Sequence, residues 1–118
     1  MEVAVKTLVQ VMKALSDPSR VKIVKLLQRK SLCVCEIQAA LGHSQPNVSK
    51  HLKILQDAGL VESSKDGLWV NYRLTDGGQS PYAAVMLANL RHWLEGDPDV
   101  QSLIRKIGDL DRFTLCRN

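Results

Sequence analysis

Two short helical patterns joined by a glycine-containing turn constrain this chain more than any other feature. The first predicts a helix over Val34–Leu41, and Gly42 suits the left-handed residue that follows a helix. Ser44 then occupies an N-cap position, and Pro46 falls in the next turn, where its missing N–H costs nothing. The second pattern predicts a helix over Gln45–Asp57. A helix, a short turn and a second helix in this order form a helix-turn-helix.

The second helix of this pair is amphipathic. Its apolar residues recur at helical spacing and form one face: Val48, Leu52 and Leu55. Its first turn carries polar side chains that can bond base edges or phosphates, and the free N–H groups of a helix start favour an anion. A solvated helix in an ordinary helical bundle would show the same pattern. These residues alone therefore leave DNA recognition and a purely structural role both open.

The start of the first helix carries two thiols. Cys33 falls at the N-cap and Glu36 at the third helical position, which is the layout of a capping box with cysteine in place of serine or threonine. Cys35 follows inside the first turn. Because the helix dipole favours a thiolate at this end, the pair is a candidate site for a soft metal or metalloid ion. Two small buried apolar side chains are the alternative interpretation.

Two helices are predicted before this motif. An apolar stripe in residues 3–16 predicts the first, and Pro18 opens the second, which runs to about residue 28. In the second helix the apolar residues should face inward, and the basic residues should be exposed: Lys22, Lys25 and Arg29. Ser31 and Leu32 are predicted to be a short link into the cysteine helix.

After Gly59 the period changes from helical to strand-like. Residues 60–65 and 68–74 form two such runs around Asp66-Gly67, and Asp-Gly in this position is a strong β-hairpin signal. A hairpin that directly follows the second helix of the motif is a wing. Its basic residue Lys65 can reach a phosphate or the minor groove, and a solvated turn residue is the alternative.

A helix predicted over residues 82–95 is apolar on almost all sides and therefore needs two buried faces. One face can pack on its own domain and the other on a second subunit, so we expect a homodimer through this fifth helix and the first. The expected interface residues are Leu8, Met12, Val85, Met86, Leu90 and Trp93. A last helix is predicted over residues 99–108. Residues 1–108 then form one winged helix-turn-helix domain, mostly α with a β-hairpin, and residues 109–118 form a mobile tail.

Five stretches form a specific set: Asp17-Pro18-Ser19-Arg20, Leu32-Cys33-Val34-Cys35-Glu36-Ile37, Ser44-Gln45-Pro46-Asn47-Val48-Ser49-Lys50-His51-Leu52, Asp57-Ala58-Gly59-Leu60-Val61 and Gly67-Leu68-Trp69-Val70-Asn71-Tyr72-Arg73-Leu74. Together they resemble the ArsR (ArsR/SmtB) family of metal- and metalloid-responsive repressors, and most closely its arsenic-responsive type. The resemblance implies a homodimer that binds double-stranded operator DNA and is released when As(III) or Sb(III) binds cysteine thiolates, with no constitutive cofactor. The DNA contacts expected in this chain are Ser44, Gln45, Asn47, Ser49, Lys50, His51, Lys53, Lys65 and Arg73.

The expected inducer site departs from the usual pattern of that family. Its arsenic sensors typically have Cys-Val-Cys followed by a third cysteine three residues on, and here that position is Gln38. The metalloid ligands would then be Cys33 and Cys35, with Cys116 from the tail of either subunit or an external thiol as the third. Cd(II), Pb(II) and oxidation of the thiols are the alternative inputs.

The family's zinc site is incomplete in this chain. His92 and Glu95 have a suitable local spacing, but residues 79–81 supply neither the aspartate nor the histidine that such a site needs. We therefore expect His92 to be an ordinary interface or surface residue and His43 to be a loop residue.

The charge balance permits a nucleic-acid partner without requiring one. The formal net charge is +4, but residues 1–31 hold seven cationic side chains against two acidic ones, while residues 44–75 hold four against three. No apolar run is long enough to span a bilayer and no signal-peptide layout is present, so we expect a cytoplasmic protein without a membrane partner. The Cys-x-x-Cys and βαβ pattern of thiol oxidoreductases is missing, so we do not expect an enzyme.

Overall fold

A computed structural model describes residues 2–78, 80–111 and 115 of the chain. Over these ranges it contains six helices and three strands: α1 Glu2–Ala14, α2 Pro18–Leu27, β1 Leu32–Cys33, α3 Val34–Leu41, α4 Gln45–Asp57, β2 Val61–Asp66, β3 Trp69–Leu74, α5 Pro81–Leu90 and α6 Pro98–Gly108. The predicted architecture, mostly α with a β-hairpin, is confirmed. None of the helices in the described ranges is long and apolar enough to cross a membrane. Most of the predicted tail lies outside these ranges.

The helix-turn-helix has the predicted bounds. Gly42 ends α3 with φ 72°, the left-handed conformation that glycine adopts without strain. Ser44 is the N-cap of α4, and its hydroxyl accepts a hydrogen bond from the Asn47 N–H at 3.3 Å. The apolar residues of α4, Val48, Leu52 and Leu55, are fully buried as predicted. Burying each side chain of this size stabilises by about 1.5–3 kcal/mol, so α4 is held firmly with its polar residues outward.

The sheet has one strand more than the predicted hairpin. Its order is β1-β3-β2 with antiparallel neighbours, and Leu32 pairs with Tyr72 while Cys33 pairs with Asn71. The prediction that Ser31 and Leu32 are only a link is therefore wrong for Leu32. A two-residue strand has no periodicity to read, because its pairing depends on a partner far away in sequence. In the hairpin, Asp66 pairs with Trp69, so the turn itself is Gly67-Leu68.

Lys25 contradicts the prediction that the basic residues of α2 are exposed. Its side chain is 1% exposed, and its Nζ donates to the backbone oxygens of Leu90 at 2.7 Å and Trp93 at 2.8 Å. The Nζ also lies 3.0 Å from a carboxylate oxygen of Glu95. Carbonyls at the end of a helix lack intrahelical donors, and Lys25 supplies donors at this end. Lys25 can thus be buried because oxygen atoms inside the domain accept hydrogen bonds from its ammonium group.

Helix α5 ends at Leu90 rather than at the predicted residue 95. Residues 91–96 form turns, and Leu94 has φ 65°. The apolar residues continue beyond the end of the helix, and the left-handed Leu94 redirects the chain within this turn segment. The side chains of Ala83, Leu87 and Leu90 enter the core of the domain.

Helices α1 and α5 contact each other and leave apolar side chains exposed. Val11 and Ala14 of α1 are fully buried in the core. The exposed residues, between 38% and 63% accessible, are Val5, Leu8, Val9, Met12, Val85, Trp93 and Leu94, which we call the α1–α5 apolar surface. Of the expected interface residues, Leu90 is instead buried in its own subunit and Met86 is partly buried against that core.

We expect Gly77→Ala to lower the free energy of unfolding by about 2–4 kcal/mol, because Gly77 combines a left-handed backbone with close packing. Its φ is 77°, and an added Cβ would collide with the Cα of Ala84 and lie 2.7 Å from its Cβ. Gly42→Ala is the matched control, since Gly42 has φ 72° but nothing within 4 Å of the added Cβ. Urea denaturation should show a clearly smaller loss for Gly42→Ala; equal losses would contradict the packing argument.

Candidate nucleic-acid interface and thiol site

The first turns of α4 present a row of polar side chains to solvent. Gln45, Asn47 and Lys50 are exposed, and Ser49 is partly exposed. The Gln45 Nε2 donates to the Ser49 hydroxyl at 3.2 Å, which holds the two side chains together on one side of the helix. An exposed helix start with amide, hydroxyl and ammonium groups has the donors and acceptors that base edges and phosphates require.

The outer part of the wing stands clear of the core. Residues 63–68 are all exposed, and Lys65 pairs across the hairpin with Val70. The base of the wing is attached to the domain through Val61, which is buried, and through the β1–β3 pairing. Lys65 therefore lies on the exposed end of a β-hairpin that directly follows α4 in the sequence.

Three of the expected DNA contacts have a charged side chain of the protein as their partner. Lys53 lies 3.1 Å from Asp57 one turn along α4, and Arg73 lies 3.2 Å from Glu62 on the neighbouring strand. His51 is partly buried, and its Nδ1 lies 3.2 Å from Nη1 of Arg20, a residue 31 positions earlier in the sequence. A single sequence could not reveal the Arg20 contact, because only the folded chain brings α2 against α4.

Cys33 occupies a junction between two elements. It is the last residue of β1, where it pairs with Asn71 of the wing, and it is also the N-cap of α3. Glu36 completes a capping box: its Oε1 accepts a hydrogen bond from the Cys33 N–H at 2.9 Å, and the carboxylate is 4% exposed. The Cys33 side chain is 3% exposed. The predicted N-cap and N3 positions of these two residues are confirmed.

Cys35 lies on the accessible side of the first turn of α3 and is partly buried. It borders a cavity of about 260 Å³ that is lined by Cys35, Gln38, Ala39, Gly42, His43 and Leu115. The other end of α3 is held by α6, where the Lys106 Nζ donates to the Ala40 oxygen at 3.2 Å. The chain beyond α6 thus returns to α3 at Leu115, beside Cys35.

The described residues supply two thiols and no complete metal site. Within the described ranges, no three His, Cys, Asp or Glu side chains are grouped so that they could hold a metal ion. Cys116, the candidate third ligand, lies outside the described residues. Of the residues expected at the incomplete zinc site, His92 is exposed and Glu95 accepts a hydrogen bond from Lys25. The thiolate sulfurs of Cys33 and Cys35 are soft ligands that suit a thiophilic ion. Such an ion needs a further donor from outside this pair.

A helix-turn-helix followed by a projecting hairpin defines a winged helix-turn-helix, a class of DNA-binding domain. The sequence matches the family described as "Bacterial regulatory protein, arsR family" over residues 17–63. The arsenical resistance operon repressor of Escherichia coli K12 is 37% identical over 102 residues, which cover 84% of this chain and 83% of that repressor. The chain belongs to the ArsR family, and it is a DNA-binding transcriptional regulator rather than an enzyme.

Solved structures agree with this assignment. HlyU from Vibrio cholerae has a TM-score of 0.65 at 30% identity, over 80% of this chain and all of that one. The homodimeric winged helix-turn-helix domain of Mb0332 from Mycobacterium bovis, a possible ArsR-family regulator, has a TM-score of 0.64 at 26% identity, over 82% of this chain and 90% of that one. The family resemblance of the five sequence stretches is thereby confirmed.

Proposed function

We propose that this protein is the repressor of a metalloid-resistance operon. As a homodimer it binds double-stranded operator DNA in the cytoplasm, and it is released when As(III) or Sb(III) binds the thiolates of Cys33 and Cys35. The observation that carries the proposal is the position of Cys33, which joins the start of α3 to β3, the wing strand at the centre of the sheet. The likeness to an arsenical resistance operon repressor supports the choice of inducer.

Operator binding is assigned to the exposed part of α4 and to the wing. The direct contacts proposed are Ser44, Gln45, Asn47, Ser49, Lys50 and Lys65, which line the helix start and the hairpin. Lys53 and Arg73 would have to exchange their carboxylate partners for phosphates, so we expect them to contribute less. Few cationic side chains per subunit are free for phosphate contacts, and a dimer doubles them.

Dimerisation is assigned to the α1–α5 apolar surface. Seven large apolar residues at 38–63% exposure on two contacting helices and the turn after α5 are more than scattered single side chains, and a second copy of the chain would cover them. The homodimeric state of the Mycobacterium bovis domain supports this assembly. In a dimer the two α4 helices would enter successive major grooves, whose centres repeat at about 34 Å.

Release follows from the position of the two thiols. Cys33 is the extended N-cap of α3 and is buried, whereas Cys35 lies inside the first turn and is more accessible, so we expect that one ion cannot readily reach both thiolates while this turn stays regular. Binding would therefore distort that turn, and Cys33 would carry the distortion to β3 through its pairing with Asn71. Because α3 packs against α4, the spacing of the two recognition helices in the dimer would change. One of them would then no longer fit into its major groove.

Cys116 is the third ligand that we propose, supplied by the same chain. Leu115 borders the cavity beside Cys35, and Cys116 is the next residue in the sequence. Cys116→Ser is expected to raise the As(III) concentration for half-release about tenfold without added thiol, because a tethered thiol acts at an effective concentration on the order of 1 mM. Adding millimolar glutathione, or the second change Gln38→Cys, should restore the response. An unchanged response of Cys116→Ser without added thiol would exclude Cys116.

The proposal is tested by DNA release measured through fluorescence anisotropy. A labelled duplex from upstream of the protein's own gene is bound by reduced protein and titrated separately with As(III), Sb(III), Cd(II), Zn(II), Pb(II) and peroxide. Release by As(III) and Sb(III) is the expected result. Release only by Cd(II), Pb(II) or peroxide would keep the DNA-binding assignment and overturn the inducer. A protein that binds no such duplex, even at low salt, would overturn the repressor function.

A further inference from the structure

The guanidinium of Arg20 joins three elements of the domain. Its Nε donates to the Ala14 oxygen at 2.8 Å and its Nη2 to the Lys13 oxygen at 3.2 Å, so it satisfies carbonyls at the end of α1. Its Nη1 lies 3.2 Å from Nδ1 of His51 on the recognition helix α4. Arg20 itself belongs to α2. One side chain therefore links the helix that carries much of the α1–α5 apolar surface to the helix assigned to the operator.

A hydrogen bond between Arg20 and His51 is compatible with only one form of the imidazole. A guanidinium has only donors, so Nδ1 of His51 must be the acceptor, and the neutral ring carries its hydrogen on Nε2. A protonated ring has donors on both nitrogens and would face the Arg20 donor with a second N–H and a second positive charge. The contact seen here thus requires a neutral His51.

The surroundings of His51 favour the neutral form. Burial is the largest influence and lowers its pKa below the ordinary 6.5; Asp17 raises it, and Arg20, His43 and Lys50 lower it further. These groups come from several elements: Asp17 is the N-cap of α2, Arg20 lies in α2, His43 in the turn before α4 and Lys50 in α4. His43 lies with its ring centre 6.5 Å from that of His51, and its Nε2 is 3.1 Å from the Ser19 hydroxyl.

We infer that the Arg20–His51 hydrogen bond positions the recognition helix relative to α1, so that operator binding requires the neutral imidazole and weakens when His51 takes up a proton. The inference rests on the proposed operator binding and adds a positioning pair to it. Arg20 and His51 act here through the orientation of α4, whereas the residues of the first turns of α4 touch the DNA.

The sign of the pH effect distinguishes this role from general electrostatics. Acidification adds positive charge to a protein, which ordinarily strengthens its binding to DNA. If the Arg20–His51 pair positions α4, acidification should instead weaken the binding to DNA. Affinity is highest well above the lowered pKa of His51, where the ring is neutral, and it falls as the pH drops through that pKa.

The first experiment measures the dissociation constant for the operator duplex between pH 7.5 and pH 5.5 at fixed ionic strength, with circular dichroism to verify folding at each pH. We expect the wild type to bind measurably more weakly at pH 5.5 than at pH 7.5, but by less than about tenfold, because a tenfold loss at pH 5.5 would require His51 to keep its ordinary pKa, which burial lowers. In His51→Asn the side-chain oxygen replaces Nδ1 and does not titrate, so this weakening should disappear. His92→Asn is the matched control, since His92 is exposed and away from Arg20, and it should retain the wild-type pH dependence.

A double-mutant cycle at pH 7.5 then tests whether His51 acts through Arg20. Arg20→Met, His51→Ala and the double variant are compared, with thermal melting to account for the lost α1 carbonyl contacts. If the two residues act as a pair, the His51 change weakens binding about tenfold in the wild type and has little further effect in Arg20→Met. Additive losses, or a wild type that binds more tightly at pH 5.5 in parallel with His51→Asn, would overturn the inference. A wild type that binds no operator at any pH would refute the proposed function and this inference with it.

Discussion

The double variant Cys33→Ser, Cys35→Ser is expected to bind the operator like the wild type and to remain bound at As(III) concentrations that release the wild type. Neither side chain is part of the exposed surface of α4 or the outer wing. Serine is moreover a better N-cap than cysteine, so the start of α3 should be retained. Wild-type release requires a coupling between ion and DNA of about 1–3 kcal/mol or more, which is about 5–150-fold in affinity. The variant should lose that coupling entirely.

Anisotropy titrations of both proteins with As(III) measure this loss directly, and millimolar glutathione should fail to restore the response of the double variant. That failure separates Cys33 and Cys35 from a third ligand, which an external thiol can replace. If the double variant no longer bound the operator, although it melted normally, the thiols would have a structural role in the DNA-bound form and the release scheme would be wrong.

The second large effect is expected at Lys25. Lys25→Met keeps most of the buried stem but removes the ammonium group that donates to the oxygens of Leu90 and Trp93. Buried acceptors without a donor are costly, so we expect the free energy of unfolding to fall by about 3–5 kcal/mol. The turn after α5 would also loosen, and Trp93 and Leu94 of the α1–α5 apolar surface lie there. Dimer dissociation should therefore increase together with the loss of stability.

Urea denaturation at fixed protein concentration measures the stability, and analytical ultracentrifugation measures the dimer. Glu95→Gln is the appropriate comparison: the Lys25 hydrogen bond and charge lower the pKa of Glu95, but half of that side chain is in solvent. Its replacement should therefore matter much less than that of Lys25. A stability of Lys25→Met within about 1 kcal/mol of the wild type would show that water replaces the ammonium group at the end of α5.

The helix-turn-helix could be predicted from sequence because its signals are local. Gly42 and Ser44 define the end of α3 and the start of α4 through backbone conformation and capping, and both helices have the predicted bounds. The pairing of β1 and the burial of Lys25 depend on residues far away in sequence, and both were missed. Lys25 follows Val24 and lies four residues after Val21, so helical spacing already indicated an inward position; its charge suggested the opposite.

The candidate site divides in the same way. The capping-box layout of Cys33 and Glu36 followed from their spacing alone. The partners of His51 and Arg73 did not, since a neighbouring element supplies each of them. Arg20 was identified as part of a helix start, but its contacts with α1 and α4 require the folded chain.

The pairing of Cys33 with Asn71 is a small part of the interactions that stabilise the fold, although it is the contact through which we propose that the inducer acts. β1 has two residues and lies at the edge of the sheet, and only Leu32 of this strand belongs to the hydrophobic core, where it is fully buried. Opening the pairing at Cys33 alone forfeits few hydrogen bonds, each worth about 0.5–1.5 kcal/mol, and leaves the Leu32 side chain in that core. A bound ion would therefore need to supply only the energy of a small edge rearrangement. Upon induction, backbone amide exchange should then rise at whichever of the Asn71 and Tyr72 N–H groups faces β1, while the interior of α4 stays protected.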